Sequence, residues 1–453
     1  QLINLSSPAS SGGNPGTEGL ILHLDANDVD SYDGDGTEWV DISDHEYTPT
    51  TNVSEHFNTV LYTGTGTTNP ITDVGFQPDL IWVKRRNTAS ANHYIVDSVR
   101  GNGTSTYKNL SSDTTNSEAT TTSSGITNNT IVDGGFTMQG TGARTNANNS
   151  TYVAWCFKAG GEPTATNSGG QTPTSGSKMV DGSAVTDNYP TSSIYPKKQT
   201  VNTKLGFSIT NYTGNLSSGQ TKANSQSVPH GLDVPVEMII WKRVNSTGGS
   251  WNVWHKALGN ENKVLSFTTG SILDYTSQYP TQPHDANHFY TNWVTSQNVS
   301  SGNHIAYCFA SKRGVSKVGS YTGTGAAGNK IYTGFEPAFV MIKMTNGAGT
   351  ADHWWMSDAS RGTKPSQIDK WLRADGNNTE YTLDGINYER DGFSFHREYF
   401  NESGKNFIYL AFAKNTNETS LIPDTDLEMH LDAGNDTTVS TSTWSDSTSN
   451  NND

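Results

Sequence analysis

Tyr152-Val153-Ala154-Trp155-Cys156-Phe157 is a strand with two apolar faces. Tyr152, Ala154 and Cys156 fall on one side, and Val153, Trp155 and Phe157 on the other. A strand of this kind has to be covered twice, so it belongs in the middle of its sheet. The same stretch returns as HIAYCF (His304–Phe309) and as FIYLAF (Phe407–Phe412). Each copy closes a longer repeat. Every repeat opens on Tyr-Thr-Gly (Tyr62–Gly64, Tyr212–Gly214, Tyr321–Gly323) and continues through a Gly and Pro turn (Gly75–Pro78, Gly231–Pro235, Gly334–Pro337). An apolar run then ends in lysine: LIWVK to Lys84, MIIWK to Lys242, FVMIK to Lys343. What recurs is turn chemistry and buried strands, with no acid, base or metal ligand repeated alongside them.

Composition agrees. Of 453 residues only 32% are apolar and 16% charged, while 45 are glycine, which is too polar for a helical enzyme. The 11 Trp, 19 Tyr and 15 Phe argue against disorder. Thr, Asn, Gly and aromatic residues at low charge suit many short strands joined by tight turns. The fold class expected is all-β: tandem β-sandwich or jelly-roll-like repeat domains with short helices at most. The divisions are an N-terminal segment (1–56), repeat one (57–158), a Gly/Pro/Ser/Thr-rich linker (159–200), repeat two (201–316), repeat three (317–415) and a C-terminal segment (416–453). A short strand is expected near Lys178–Val180, and one helix over Pro365–Arg373, where Ile368, Trp371 and Leu372 fall at helical spacing.

The net charge of −15, without a dense Lys/Arg cluster, excludes a nucleic-acid partner. It suits an acidic surface in salty water. No run reaches the length of a membrane span, so membrane insertion is not expected. Cys156 and Cys308 share one repeat column, where the third copy has Ala411; both read as small core residues rather than a disulfide or a reactive site. A chain that opens on Gln1 is either processed or a piece of something longer.

The strongest metal candidate is the acidic loop Asp25, Asn27, Asp28, Asp30, Asp33 and Asp35, whose oxygens suit calcium. The alternative is a solvated turn. His284 and His288 are spaced like helical zinc ligands, but their neighbours point to a loop. Asp97…Arg100-Gly101 and Asp358…Arg361-Gly362 recur, whereas repeat two has His255…Leu258-Gly259. A charge pair lost in one copy behaves as a turn brace, not as a catalytic dyad. Trp251, Trp254, Trp354 and Trp355 precede that turn. They are the candidate ligand-binding residues, offering indole faces to a sugar ring; the competing reading makes them core. Nucleophile elbows, phosphate loops and dinucleotide fingerprints are missing from the sequence.

Taken together, YTGTG, the GF-x-P turn before a lysine-terminated strand, YVAWCF, and the junction AGGEPTATNSGG (Ala159–Gly170) resemble a repeat domain of unknown function from tail-fibre-like and virion appendage proteins of marine bacteriophages. The framing segments HLDAND…W-x-D (from His23) and HLDAGND…W-x-D (from His430) resemble the opening strand of concanavalin/laminin-G-like modules. The second copy breaks off at Asp453, so the natural product continues or this segment completes a neighbour. The resemblance implies a structural virion protein, extracellular or on the virion, forming a fibre or surface appendage and attaching to a host. Its implied partners are other virion proteins or copies of itself (a trimer or filament), or a cell-surface glycan. A glycan-binding adhesion module and a filament subunit assembled by strand exchange are the alternatives. No enzyme is expected, and no cofactor beyond calcium.

Overall fold

Each closing strand lies second in a run of four strands of one fixed order: opening, closing, lysine-ended, turn. The computed structural model describes residues 52–414, apart from 102–106, 121–123, 218–224, 277–281, 293, 295, 348–351, 364–366 and 397. In repeat one the order is Phe57–Thr63, Thr151–Phe157, Leu80–Arg85, Tyr94–Asp97. In repeat two it is Phe207–Thr213, Asn303–Phe309, Met238–Arg243, Asn252–His255, and in repeat three Ser316–Thr322, Asn406–Ala413, Pro337–Met344, Trp355–Asp358. All neighbours in these sets are antiparallel, and the register repeats: Leu80 faces Phe157, Met238 faces Phe309 and Phe339 faces Phe412. The protein is all-β, with four short 3-10 turns and no α-helix among the described residues.

Two glycine columns explain why the repeats close alike. Gly75, Gly231 and Gly334 hold φ of +87°, +77° and +81°, a region that L side chains rarely adopt, at the turn into the lysine-ended strand. At Gly64, Gly214 and Gly323 the φ is ordinary, but a Cβ would run into the carbonyls of Ala147, Val299 and Glu402. The preceding tyrosines clamp the same loop: Tyr62, Tyr212 and Tyr321 donate to the carbonyls of Thr145 (2.7 Å), Gln297 (2.5 Å) and Phe400 (2.7 Å).

The double apolar face of the closing strand now has a cause. In repeat one, Tyr152, Ala154 and Cys156 pack into that repeat's own sandwich core, under a smaller outer sheet that includes Gly135–Gln139. In repeat two, Ala306 and Cys308 do the same. The opposite faces, Val153, Trp155 and Phe157 with Ile305, Tyr307 and Phe309, join strands of repeat three in one shared cluster. Phe57, Phe157, Phe207, Phe309, Phe339 and Phe412 meet there, with ring centroids 4.8–6.3 Å apart. Aromatic burial of this size dominates core energetics. Val53–Asn415 is accordingly a single compact unit in which three inner sheets face one another.

Both cysteines are free and buried, as core residues. The span 159–200 is ordered. It contains the expected strand Lys178–Val180, parallel to Lys198–Asn202, and that second strand adds to the edge of the repeat-two sheet. Lys198–Asn202 (KQTVN) has no apolar signature because polar partners satisfy it: Gln199 donates to Thr210 and to the Pro229 carbonyl. The helix expected over Pro365–Arg373 is instead a strand, Gln367–Arg373, paired with the turn strand and with Tyr381–Glu389. The register shifts between Ile368 and Lys370, with the extra residues on the partner strand between Ile386 and Thr382, and the buried Ile368, Trp371 and Leu372 do not alternate, a spacing that imitates a helix.

Candidate functional site

Trp251, Trp254, Trp354 and Trp355 are 1–5% exposed, so none of them presents a face to solvent. Trp251, Trp354 and Trp355 belong to the shared cluster, and Trp254 to the core of repeat two itself. Trp254 packs edge-on against His284 (4.3 Å), and Trp355 is ringed by Trp371, Tyr381, Tyr399 and Phe400. Trp251 and Trp354 act across repeat boundaries. Trp251 Nε1 donates to the Ser111 carbonyl at 2.9 Å, and Trp354 Nε1 to the Ser266 carbonyl at 2.7 Å. In the same column of repeat one stands His93, whose Nε2 bonds the Arg373 carbonyl at 2.8 Å while Nδ1 accepts from Trp82. That pair of partners fixes the Nε2–H tautomer. Burial pushes the His93 pKa down to about 3, so the ring stays neutral. The donors run from repeat one to three, three to two and two to one, with Ser111, Ser266 and Arg373 in equivalent positions. The three inner sheets are therefore related by a pseudo-threefold axis.

A second set of bonds follows the same direction. Trp155 Nε1 donates to Asp358 Oδ2 (2.9 Å), and the Tyr307 hydroxyl donates to Asp97 Oδ2 (2.7 Å). Each aspartate also braces its own turn. Asp97 takes Arg100 Nε at 2.6 Å and the Arg100 backbone N–H at 2.8 Å; Asp358 takes Arg361 Nε at 2.7 Å and its N–H at 3.1 Å. Glu380 completes a buried network, bonded at 3.2 Å to Arg361 and through both oxygens to Arg86 of repeat one. In repeat two these columns hold His255, Leu258 and Ile272, and the facing closing-strand residue of repeat three is Leu410. Leu258, Ile272 and Leu410 are apolar, while His255 keeps a polar ring whose Nδ1 accepts from the Ala257 N–H at 3.1 Å.

The lysines that end the third strand of each repeat are 0–1% exposed. Lys84 donates to the Asn378 carbonyl of repeat three (2.8 Å) and Lys242 to the Thr115 carbonyl of repeat one (3.1 Å). Lys343 donates to the Asp352 carbonyl within its own repeat. Burial pushes all three down to about 8.

Where equivalent segments of the three repeats converge at one end of this axis there is a pocket of about 590 Å3. Ser112–Asn116 of repeat one, Ser266–Thr269 of repeat two, and His353 with Asp375 of repeat three form most of its wall. The aromatic side chains of Trp251 and Phe267 separate it from a much smaller apolar void of about 20 Å3 along the axis. Asp375 is held by His353 Nδ1 (2.8 Å) and the Trp354 N–H (3.1 Å), and Asp113 by the His93 N–H (3.1 Å). Burial raises the Asp113 pKa to about 6. The sequence reading reached Trp251 but missed the rest of this wall. Its Ser, Thr and Asn residues look like any turn, and only the repeat register, through His93, Trp251 and Trp354, brings them together.

The remaining candidates fall elsewhere. Asp25, Asn27, Asp28, Asp30, Asp33 and Asp35, and both HLDA segments, lie outside the described residues. His284 and His288 sit in and just after a loop; His288 bonds Asp285 (3.2 Å) and Ser192 (3.0 Å), and His284 Nδ1 accepts from the Tyr290 N–H. Among the described residues no group of three or more His, Cys, Asp or Glu is placed to hold a metal ion.

Residues 52–416 match the model of a domain of unknown function, DUF7483. No curated protein and no solved structure matches the chain.

Proposed function

The chain belongs to the DUF7483 family, whose domain takes in the whole three-repeat body, and we propose that this body is a structural module of a virion-borne or otherwise extracellular appendage. The observation that carries the reading is the cyclic set of three hydrogen bonds across the repeat boundaries, backed by a second set of two in the same direction. Strongly perturbed titratable groups often mark active sites. Here His93, Lys84 and Lys242 spend their donors on backbone carbonyls of the neighbouring repeat, which is fastening, not proton transfer. A body whose matched positions are all turns, clamps and joints is suited to bearing load and holding a shape.

The resemblance of YTGTG, the GF-x-P turn and YVAWCF to repeats of marine phage appendages points the same way. A net charge of −15 keeps such a surface soluble at high ionic strength. One chain already supplies three quasi-equivalent outer faces, so further virion proteins or further copies of the chain are natural neighbours. The test is immunogold electron microscopy of purified particles and filaments from cells expressing the gene, with antibodies raised against the three-repeat body. Decoration of a surface appendage is expected. Label on no assembled structure, with all of the protein free in the supernatant, refutes the proposal.

A further inference from the structure

The axial pocket is a built cavity with a chemistry of its own. We propose that it binds a neutral saccharide, with the wall hydroxyls, Asn116 and the two aspartates meeting the sugar hydroxyls over an apolar floor of Trp251 and Phe267. Four observations lead there.

The volume, about 590 Å3, lies in the range of small-molecule sites. Its wall mixes groups that donate and accept, as Ser, Thr and Asn do, with acceptor carboxylates; a polyol is the partner that carries donors and acceptors on every edge. The Ser112 hydroxyl, 1% exposed, has no protein partner. A buried hydroxyl left unpaired costs about 1–3 kcal/mol, which a ligand hydroxyl would recover on a small shift of the wall that admits it. Fourth, the charges balance. Lys84 lies close enough to Asp113, and Lys343 to Asp375, for each lysine to feel the carboxylate, and His353 is bonded to Asp375. The aspartates therefore do not make an anionic well for a cation. Among the described residues no lysine or arginine lines the pocket to attract an anion. Balanced charge and abundant hydroxyls select a neutral polyhydroxylated ligand. This chemistry does not depend on what the body is attached to.

Saturation-transfer NMR on the full chain tests it, with a panel of glucose, galactose, mannose, N-acetylglucosamine and their common disaccharides, followed by calorimetry on any member that responds. Transfer to at least one member is expected. Thr269→Arg, at an exposed wall position, and Asp113→Asn should each weaken binding at least tenfold, with the thermal midpoint of Thr269→Arg unchanged. Choline and spermidine should not compete. A panel without transfer, binding that persists through Thr269→Arg, or displacement by either cation overturns the proposal.

Discussion

Replacing Arg361 with Met tests whether the buried carboxylate networks are joints or ornaments. The guanidinium bonds Asp358 Oδ2 at 2.7 Å, Glu380 at 3.2 Å and the Met356 carbonyl at 3.2 Å, with the Arg361 and Asp358 side chains both 0% exposed. Arg361→Met leaves Asp358 as a buried carboxylate held by one backbone N–H and by Trp155 Nε1. Removing one member of a buried pair costs about 3–5 kcal/mol, because the remaining charge is uncompensated. Asp358→Asn together with Arg361→Met removes both charges but keeps an oxygen for the Trp155 N–H. The double variant should therefore lie within about 2 kcal/mol of the parent, strongly non-additive. Repeat two has already lost the carboxylates and the guanidinium together, with His255, Leu258 and Ile272 in these columns. The assay is urea unfolding of the full chain followed by the near-ultraviolet dichroism of its tryptophans, with the urea slope checked for constancy. A single-variant cost below about 1 kcal/mol, or additive singles, refutes the reasoning.

Three further outcomes follow from the same core. Lys84, Lys242 and Lys343 are pushed from 10.5 down to about 8, so their contribution to stability is complete above 10.5 and lost as pH falls through 8; the urea midpoint should rise from pH 7.5 to 9.5, and Lys343→Met should flatten the rise, whereas a level or falling midpoint in the parent contradicts the burial argument. Phe157→Ala, at a ring that meets Phe57, Phe207 and Phe412 at 5.0–5.5 Å, should cost about 3–5 kcal/mol by urea denaturation, and a loss below about 1 kcal/mol would show the shared core to be loosely packed. Cys156 and Cys308, 0% exposed with burial pushing both thiols up, should resist a thiol reagent in the native protein and react fully in urea; rapid native labelling is the opposing result.

Much of this fold is legible in the chain because each repeat restates the same local physics. The turn glycines, the lysine-ended strand and the two-faced YVAWCF strand each announce their place. What the second apolar face of that strand covers is not legible, since one repeat alone cannot say whether it meets an outer sheet or two other repeats. The tryptophans suffer from the same gap: Trp251 and Trp354 look available for a ligand until the neighbouring repeats bury them. Their third counterpart, His93, hides the column by changing residue type while keeping a ring N–H donor. The strand Gln367–Arg373 misleads for a local reason: Trp371 and Leu372, on opposite faces, are both covered, and with Ile368 they fall at helical spacing. The axial pocket draws on segments far apart in sequence, so no window of residues contains it.

Three equivalent segments line the pocket, yet they are not identical: Asp113 and Asp375 occupy positions where repeat two has Thr268. A trimer of separate identical subunits would offer an axial guest three indistinguishable poses and would come apart on dilution. Joined in one chain, the three walls diverge independently. A lopsided guest then has one preferred orientation, at any protein concentration.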